Sequence, residues 1–186
     1  MGEPAMAISI KAALLPWLRA RHNVTRDPAR TVVGGTSAGG TAAVRVALEH
    51  SDVFGRVLSQ SGEFFSSPEW LRVMSERRLV TDETGDTHVV EEMEDHALVD
   101  GNWLQREVIA SPRLPVQFYM NAGVFEAAFW GGPGGVAGIL EANRHMRDVL
   151  LAKGYKVTYQ EFVGGHDYLS WRGLLADGLT ALLGGQ

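Results

Sequence analysis

"VVGGTSAGGTAAVRVAL", residues 32–48, is the stretch whose reading decides the fold. Residues 31–34, "TVVG", form a short buried-strand pattern, and the Ala-rich run from about Ala38 to His50 has helical composition. Between them Gly35-Thr36-Ser37-Ala38-Gly39 spells G-x-S-x-G, at the strand-to-helix position where such an elbow lifts a serine hydroxyl clear of a sheet. The flanking glycines suit a serine held in a sparsely populated backbone conformation, and Ala38 N–H, at a helix N-terminus, is the natural oxyanion donor. Glycine-rich turns of this kind also bind phosphate. However, "GGTSAGG" has neither the G-x-G-x-x-G spacing nor a P-loop lysine, which weakens the phosphate reading.

A chain of 186 residues, 45% hydrophobic and 21% charged, is enough for one domain with a real core and hardly enough for two. A single domain spanning 1–186 is the expectation. The net charge of −5 leaves no electrostatic footprint for nucleic acid or for an acidic membrane surface. With no cysteine there is no thiolate metal site, disulfide or catalytic thiol, and no other metal or cofactor fingerprint stands out. The first residues lack a basic leader with a long apolar core, and nowhere do about 18 apolar residues run together. The sequence therefore reads as a soluble, cytoplasmic protein acting on a small molecule.

The remaining segments keep a strand–helix rhythm. Residues 6–22 read as helix interrupted at Pro16, 55–62 as strand, 68–79 as helix, and the acidic 80–102 as an insertion or cap. A short helix at 102–110, a strand at 115–123, a Gly/Trp-rich loop at 130–138, a helix at 139–154, an alternating strand from 155 and a closing helix complete the chain. Such alternation predicts a three-layer α/β/α fold with a mostly parallel sheet.

A serine hydroxyl needs a base whose pKa lies near neutrality, which histidine supplies. His166 follows two glycines at the end of the last strand pattern, whereas His22, His50, His88, His96 and His145 fall in helical or acidic stretches. Glu126, just past "FYMNAG", is the candidate acid to orient the imidazole. The order Ser37, Glu126, His166 is that of nucleophile, acid and base in α/β-hydrolases. A loop glutamate capping the next helix is the alternative for Glu126.

At these residues the chain resembles a known family. "RTVVGGTSAGGTAAVRVALEHSDVFGRVLSQSGEFF" and "GYKVTYQEFVGGHDYLSWRGLLADGL" are similar to the esterase D-like α/β-hydrolases, especially the catalytic domain of enterochelin (ferric enterobactin) esterases. The resemblance runs from about Leu14 onward and implies Ser37 as nucleophile, His166 as base, Glu126 as acid and no cofactor. It also implies an ester substrate, with a siderophore lactone as one candidate and Trp171 and Arg172 as candidate substrate contacts. Members of the family carry further strands before the nucleophile strand and a loop with a second oxyanion donor. Here 36 residues precede Ser37 and read as helical, so the chain resembles the C-terminal half of such an esterase. Loss of one oxyanion donor costs about 3 to 4 kcal/mol of transition-state stabilisation. The expectations are then a serine esterase, or a weakly active or inactive homologue that binds without turnover, and a dimer covering the exposed sheet edge.

Overall fold

The computed structural model describes residues 4–65, 78–81, 87–90, 102–127 and 138–184. Helices α1 (Pro4–Ser9) and α2 (Leu15–Arg21) are joined by a π-helical turn, Ile10–Leu14. Pro16 is the cause of the offset: it has no N–H to donate and sits in the first turn of α2, while Leu15 N–H reaches back to Ile10 O. The helix expected over 6–22 thus forms, with its interruption taken up as a wider turn.

Strand β1 (Val32–Thr36) leads through Ser37 into α3 (Ala38–Glu49), and β2 (Arg56–Gln60) follows. After β3 (Arg78–Thr81) and β4 (Thr87–Val90) come α4 (Trp103–Ala110), β5 (Gln117–Gly123), α5 (Ile139–Ala152), β6 (Lys156–Phe162) and α6 (Tyr168–Leu183). The main sheet has the order β1-β2-β5-β6 and every neighbouring pair is parallel. In register, Val32 lies beside Arg56, Arg56 beside Gln117, and Gln117 beside Lys156, so the carboxyl ends of all four strands finish on one rim.

Period-two alternation divides the core. Val57, Phe118 and Met120 face the layer built from α3, α4 and α5, where Val44, Ala47, Leu104, Met146 and Leu150 are buried. Leu58 and Tyr119 point to the opposite face and pack with Leu182 of α6. Strand β5 is buried along its whole length, as a central parallel strand covered on both faces should be. The three-layer α/β/α expectation is met. Among the described residues β1 pairs only with β2, and its outer side borders a groove shared with Leu175 and Leu179 of α6. No helix among the described residues is long and apolar enough to cross a membrane.

One expected element is corrected. Arg78 and Leu79 were read as the end of a helix over 68–79, but they open β3, which pairs antiparallel with β4 in the register Arg78 with Val90 and Thr81 with Thr87. The β-branched residues of "RLVT" and "THVV" flank a stretch of Asp, Thr and Gly, which is a hairpin pattern, and local pairing wins over weak helical periodicity. The remainder of that helix, most of the acidic 80–102 stretch and most of the 130–138 loop lie outside the described residues.

Candidate active site

The site is assembled where the ladders run out. Ser37 N–H donates to Gln60 O at 2.9 Å, Ser61 N–H to Asn121 O at 2.8 Å, and Phe125 N–H to Gly164 O at 3.1 Å. These bonds carry the strand pairing just beyond the carboxyl ends, so the loops after β1, β2, β5 and β6 are held along one rim. Binding crevices of open α/β sheets form at this rim.

Ser37 adopts φ 57, ψ −131, a left-handed conformation that costs a non-glycine residue about 1–3 kcal/mol. It persists because its neighbours leave no alternative path: a Cβ on Gly35 would come within 2.3 Å of Gly39 O, so the strand can turn tightly into α3 only with glycine there. Gly39, by contrast, has no described atom within 4 Å of the position its Cβ would take. Of the two glycines in the motif, the first is sterically required and the second is not. Ala38 opens α3, where first-turn amides have no intrahelical acceptor and the helix dipole favours negative charge.

Glu126 is 2% exposed, at the end of the single 3-10 turn Val124–Glu126 that follows β5. Its Oε2 accepts Gly123 N–H at 2.7 Å, which leaves Oε1 to face His166 Nδ1 at 2.8 Å. His166 Nε2 lies 2.9 Å from Ser37 Oγ. The structure therefore brings Ser37, His166 and Glu126 into one continuous hydrogen-bonded line, although 129 residues separate the serine from the histidine. Neutral His166 can carry its proton on Nδ1, donate to Glu126, and offer Nε2 to the serine.

Trp171 is 5% exposed and packs edge-on against His166 with ring centroids 4.7 Å apart. Its Nε1–H donates to Ser61 Oγ at 2.9 Å, and its carbonyl accepts Gln60 Nε2–H at 2.9 Å. Trp171, expected as a substrate contact, therefore holds the imidazole and the end of β2 and also lines the groove beside β1. Arg172 is exposed on the groove beside Gly35, Thr36 and Gln60. Asp167, next to the histidine, caps α6: its Oδ1 accepts Leu169 N–H and Ser170 N–H, both at 2.9 Å. These bonds, the Ser170 amide foremost, hold its carboxyl below the usual Asp range.

One residue in the site was missed from the sequence. Glu63 Oε1 lies 2.7 Å from Ser37 Oγ, as an acceptor for the same hydroxyl that faces His166. Its address held the clue, since it stands three residues past the carboxyl end of β2, on the rim where the other three groups gather.

A parallel sheet with a strained serine between its first strand and helix, and an acid and a histidine at later strand ends, defines the α/β-hydrolase class. The chain belongs to the esterase family described as "Putative esterase", whose model matches residues 2–182. It is 31% identical over 186 residues to the iron(III) enterobactin esterase of Dickeya dadantii (strain 3937), covering 99% of this chain and 36% of that protein. It is 26% identical to the iron(III) salmochelin esterase of Escherichia coli O6:H1, covering 98% of this chain and 38% of that protein. The enterochelin esterase of Shigella flexneri superposes with a TM-score of 0.69 at 25% identity, over 98% of this chain and 38% of that one. The chain thus spans somewhat more than a third of the length of these relatives, and it corresponds to a C-terminal-half esterase-like domain.

Proposed function

We propose that this chain hydrolyses carboxylic esters through an acyl-enzyme on Ser37. The observation that carries the reading is the unbroken line from Glu126 Oε1 to His166 Nδ1 at 2.8 Å and from His166 Nε2 to Ser37 Oγ at 2.9 Å. Ser37 Oγ attacks the ester carbonyl and passes its proton to His166 Nε2; the carbonyl oxygen takes up negative charge against Ala38 N–H. Glu126 keeps the Nδ1–H tautomer and stabilises the imidazolium. The tetrahedral intermediate collapses, His166 gives the proton to the departing alkoxide, and the alcohol leaves. Water then attacks the acyl-enzyme with His166 as base, and a second collapse releases the acid and restores Ser37. Residues 1–186 act in this reading as one α/β unit.

For the substrate, the relatives' names supply the class to try first, a siderophore-type lactone; a Shigella flexneri relative, 25% identical, was crystallised in the presence of enterobactin. Exposed Arg172 beside the groove is the proposed contact for an anionic part of such a ligand.

Two measurements on the same preparations test the reading. Wild type labels with a serine-directed fluorophosphonate and hydrolyses short p-nitrophenyl esters, and Ser37→Ala does neither. Equal ester hydrolysis by the two would remove Ser37 as nucleophile. A folded wild type that takes no label would point instead to a homologue that binds ligand without turnover.

A further inference from the structure

Two non-glycine residues among those described carry a positive φ, Ser37 at 57 and Ser61 at 50, each just past the carboxyl end of its strand, β1 or β2. The strain at Ser37 is that of the proposed nucleophile. Ser61 takes no part in that chemistry, yet it holds a backbone that glycine adopts without penalty and serine does not. The next residue shows the contrast. A Cβ on Gly62 would come within 2.6 Å of the Phe64 ring, so glycine is needed there for space. At position 61 the backbone favours glycine, and the chain carries a hydroxyl instead.

Ser61 is wholly buried, and its Oγ accepts Trp171 Nε1–H at 2.9 Å. Its own N–H donates to Asn121 O at 2.8 Å, which fixes it against the sheet. The backbone of Trp171 is held by α6 and by the bond from Gln60 Nε2 to its carbonyl. Rotation of an indole about its bond to Cβ has only a broad preference, so a bond on the ring itself is what selects the angle. At the angle selected here, the indole stands at 87° to the His166 ring with centroids 4.7 Å apart. His166 Nε2 in turn lies 2.9 Å from Ser37 Oγ. We propose that Ser61 is a positioning residue for the base: its hydroxyl sets the Trp171 ring, and the ring sets the imidazole toward Ser37. The strained backbone is retained because glycine, which would relieve it, supplies no hydroxyl. The inference rests on Ser37 and His166 acting as nucleophile and base, as proposed above.

Hydrolysis of short p-nitrophenyl esters and melting temperatures are measured for wild type, Ser61→Gly, Ser61→Ala, Trp171→Phe, the double variant Ser61→Gly with Trp171→Phe, and Ser37→Ala. Both single changes at position 61 delete the hydroxyl, but only alanine keeps the strain. Ser61→Gly should therefore melt above Ser61→Ala, while both lose kcat alike, by about tenfold or more, on the scale of a slightly misplaced catalytic group. KM should change by less than about twofold, since the loss is in aiming the base. Trp171→Phe has no Nε1–H to hold, so adding Ser61→Gly to it should lower kcat by less than about twofold further. A serine that only supported the fold would not give this non-additivity. The role of Ser61 would be overturned by a Ser61→Gly kcat within about twofold of wild type, by a rise in KM at constant kcat, or by Ser61→Gly melting no higher than Ser61→Ala. A loss that persists in full in the Trp171→Phe background would overturn it too, and would place the effect on the loop that carries Glu63, whose Oε1 lies 2.7 Å from Ser37 Oγ. All of these results leave hydrolysis dependent on Ser37. Hydrolysis that survives Ser37→Ala, or none by wild type, would overturn the nucleophile assignment and this inference with it.

Discussion

Glu126 and His166 meet across the ends of neighbouring parallel strands, Oε1 to Nδ1 at 2.8 Å, because the loop after β5 is tied to the loop after β6 by the Phe125 to Gly164 bond. The carboxylate is aimed from its other side: Gly123 N–H occupies Oε2 at 2.7 Å and leaves Oε1 a single orientation. Fixing one oxygen on the backbone of its own strand makes the imidazole partner a property of the fold rather than of a mobile side chain.

Glu126→Gln retains the shape and can still accept Gly123 N–H, but its amide then presents N–H to Nδ1 and selects the tautomer with the proton on Nε2. That tautomer cannot take the serine proton. The expected loss in kcat for ester hydrolysis is about 10³ to 10⁴-fold, with the circular dichroism spectrum and melting temperature nearly unchanged. A loss below tenfold would leave Ser37 and His166 acting as a dyad.

The two glycines of the serine motif should separate in mutagenesis. Gly35→Ala forces a Cβ to within 2.3 Å of Gly39 O, so the turn must open or the chain misfold. Gly39→Ala meets no described atom within 4 Å and removes a glycine from the first turn of α3. Purified Gly39→Ala is expected to melt at or above the wild-type temperature, with Gly35→Ala melting well below it. Equal melting temperatures would show that the strained turn does not depend on Gly35.

The contrast marks how far the sequence could be read. Ser37, Glu126 and His166 were legible because each stands at a strand end, a position that hydrophobic patterning and glycine punctuation locate without knowledge of packing. Glu63 stands at such an end too, but the β1–β2 register and the left-handed Ser61 are what carry its side chain to the serine, and neither is written in local pattern. Trp171 lines the groove as well as the core, and only part of that was legible. An aromatic in the first turn of a helix can face ligand or sheet, and local pattern does not show the bond that ties this indole to Ser61 Oγ, 110 residues away in sequence. Arg78 and Leu79 illustrate the opposite failure, in which local patterning was ambiguous and cross-strand pairing settled it.

Trp171 couples the histidine to Ser61, just past the end of β2. Trp171→Phe keeps an aromatic beside His166 but deletes the indole N–H, leaving buried Ser61 Oγ without that donor. The expected cost is about 1 to 2 kcal/mol in chemical denaturation. Trp171→Ala, which also empties the space against the imidazole, should cost about 3 to 5 kcal/mol. In both variants kcat should fall more than KM rises if the indole acts by orienting the His166 imidazole, against which it packs at 4.7 Å between ring centroids. A rise in KM at constant kcat would return Trp171 to the role of substrate contact.

Asp167 gives the fold a sensitivity to acid next to His166. Its carboxylate caps α6 through Ser170 N–H and Leu169 N–H, and these bonds, with that to Ser170 Oγ, keep its pKa below the ordinary Asp value of about 3.9. A depressed acid stabilises the folded state fully above its unfolded pKa and loses that contribution as the pH falls through the lower folded value. Wild type should therefore be more stable than Asp167→Ala by a constant margin above about pH 5. The margin should narrow below about pH 4, where the unfolded chain takes up the proton before the folded one does. Melting temperatures of the two proteins between about pH 3 and pH 7 measure the difference directly. Because Asp167 precedes His166 and begins the helix that carries Trp171, the variant should also lose ester hydrolysis at neutral pH in proportion to fraying of that first turn. A margin that widens toward low pH would mean that Asp167 is stabilised in its protonated form, the reverse of what the cap geometry requires.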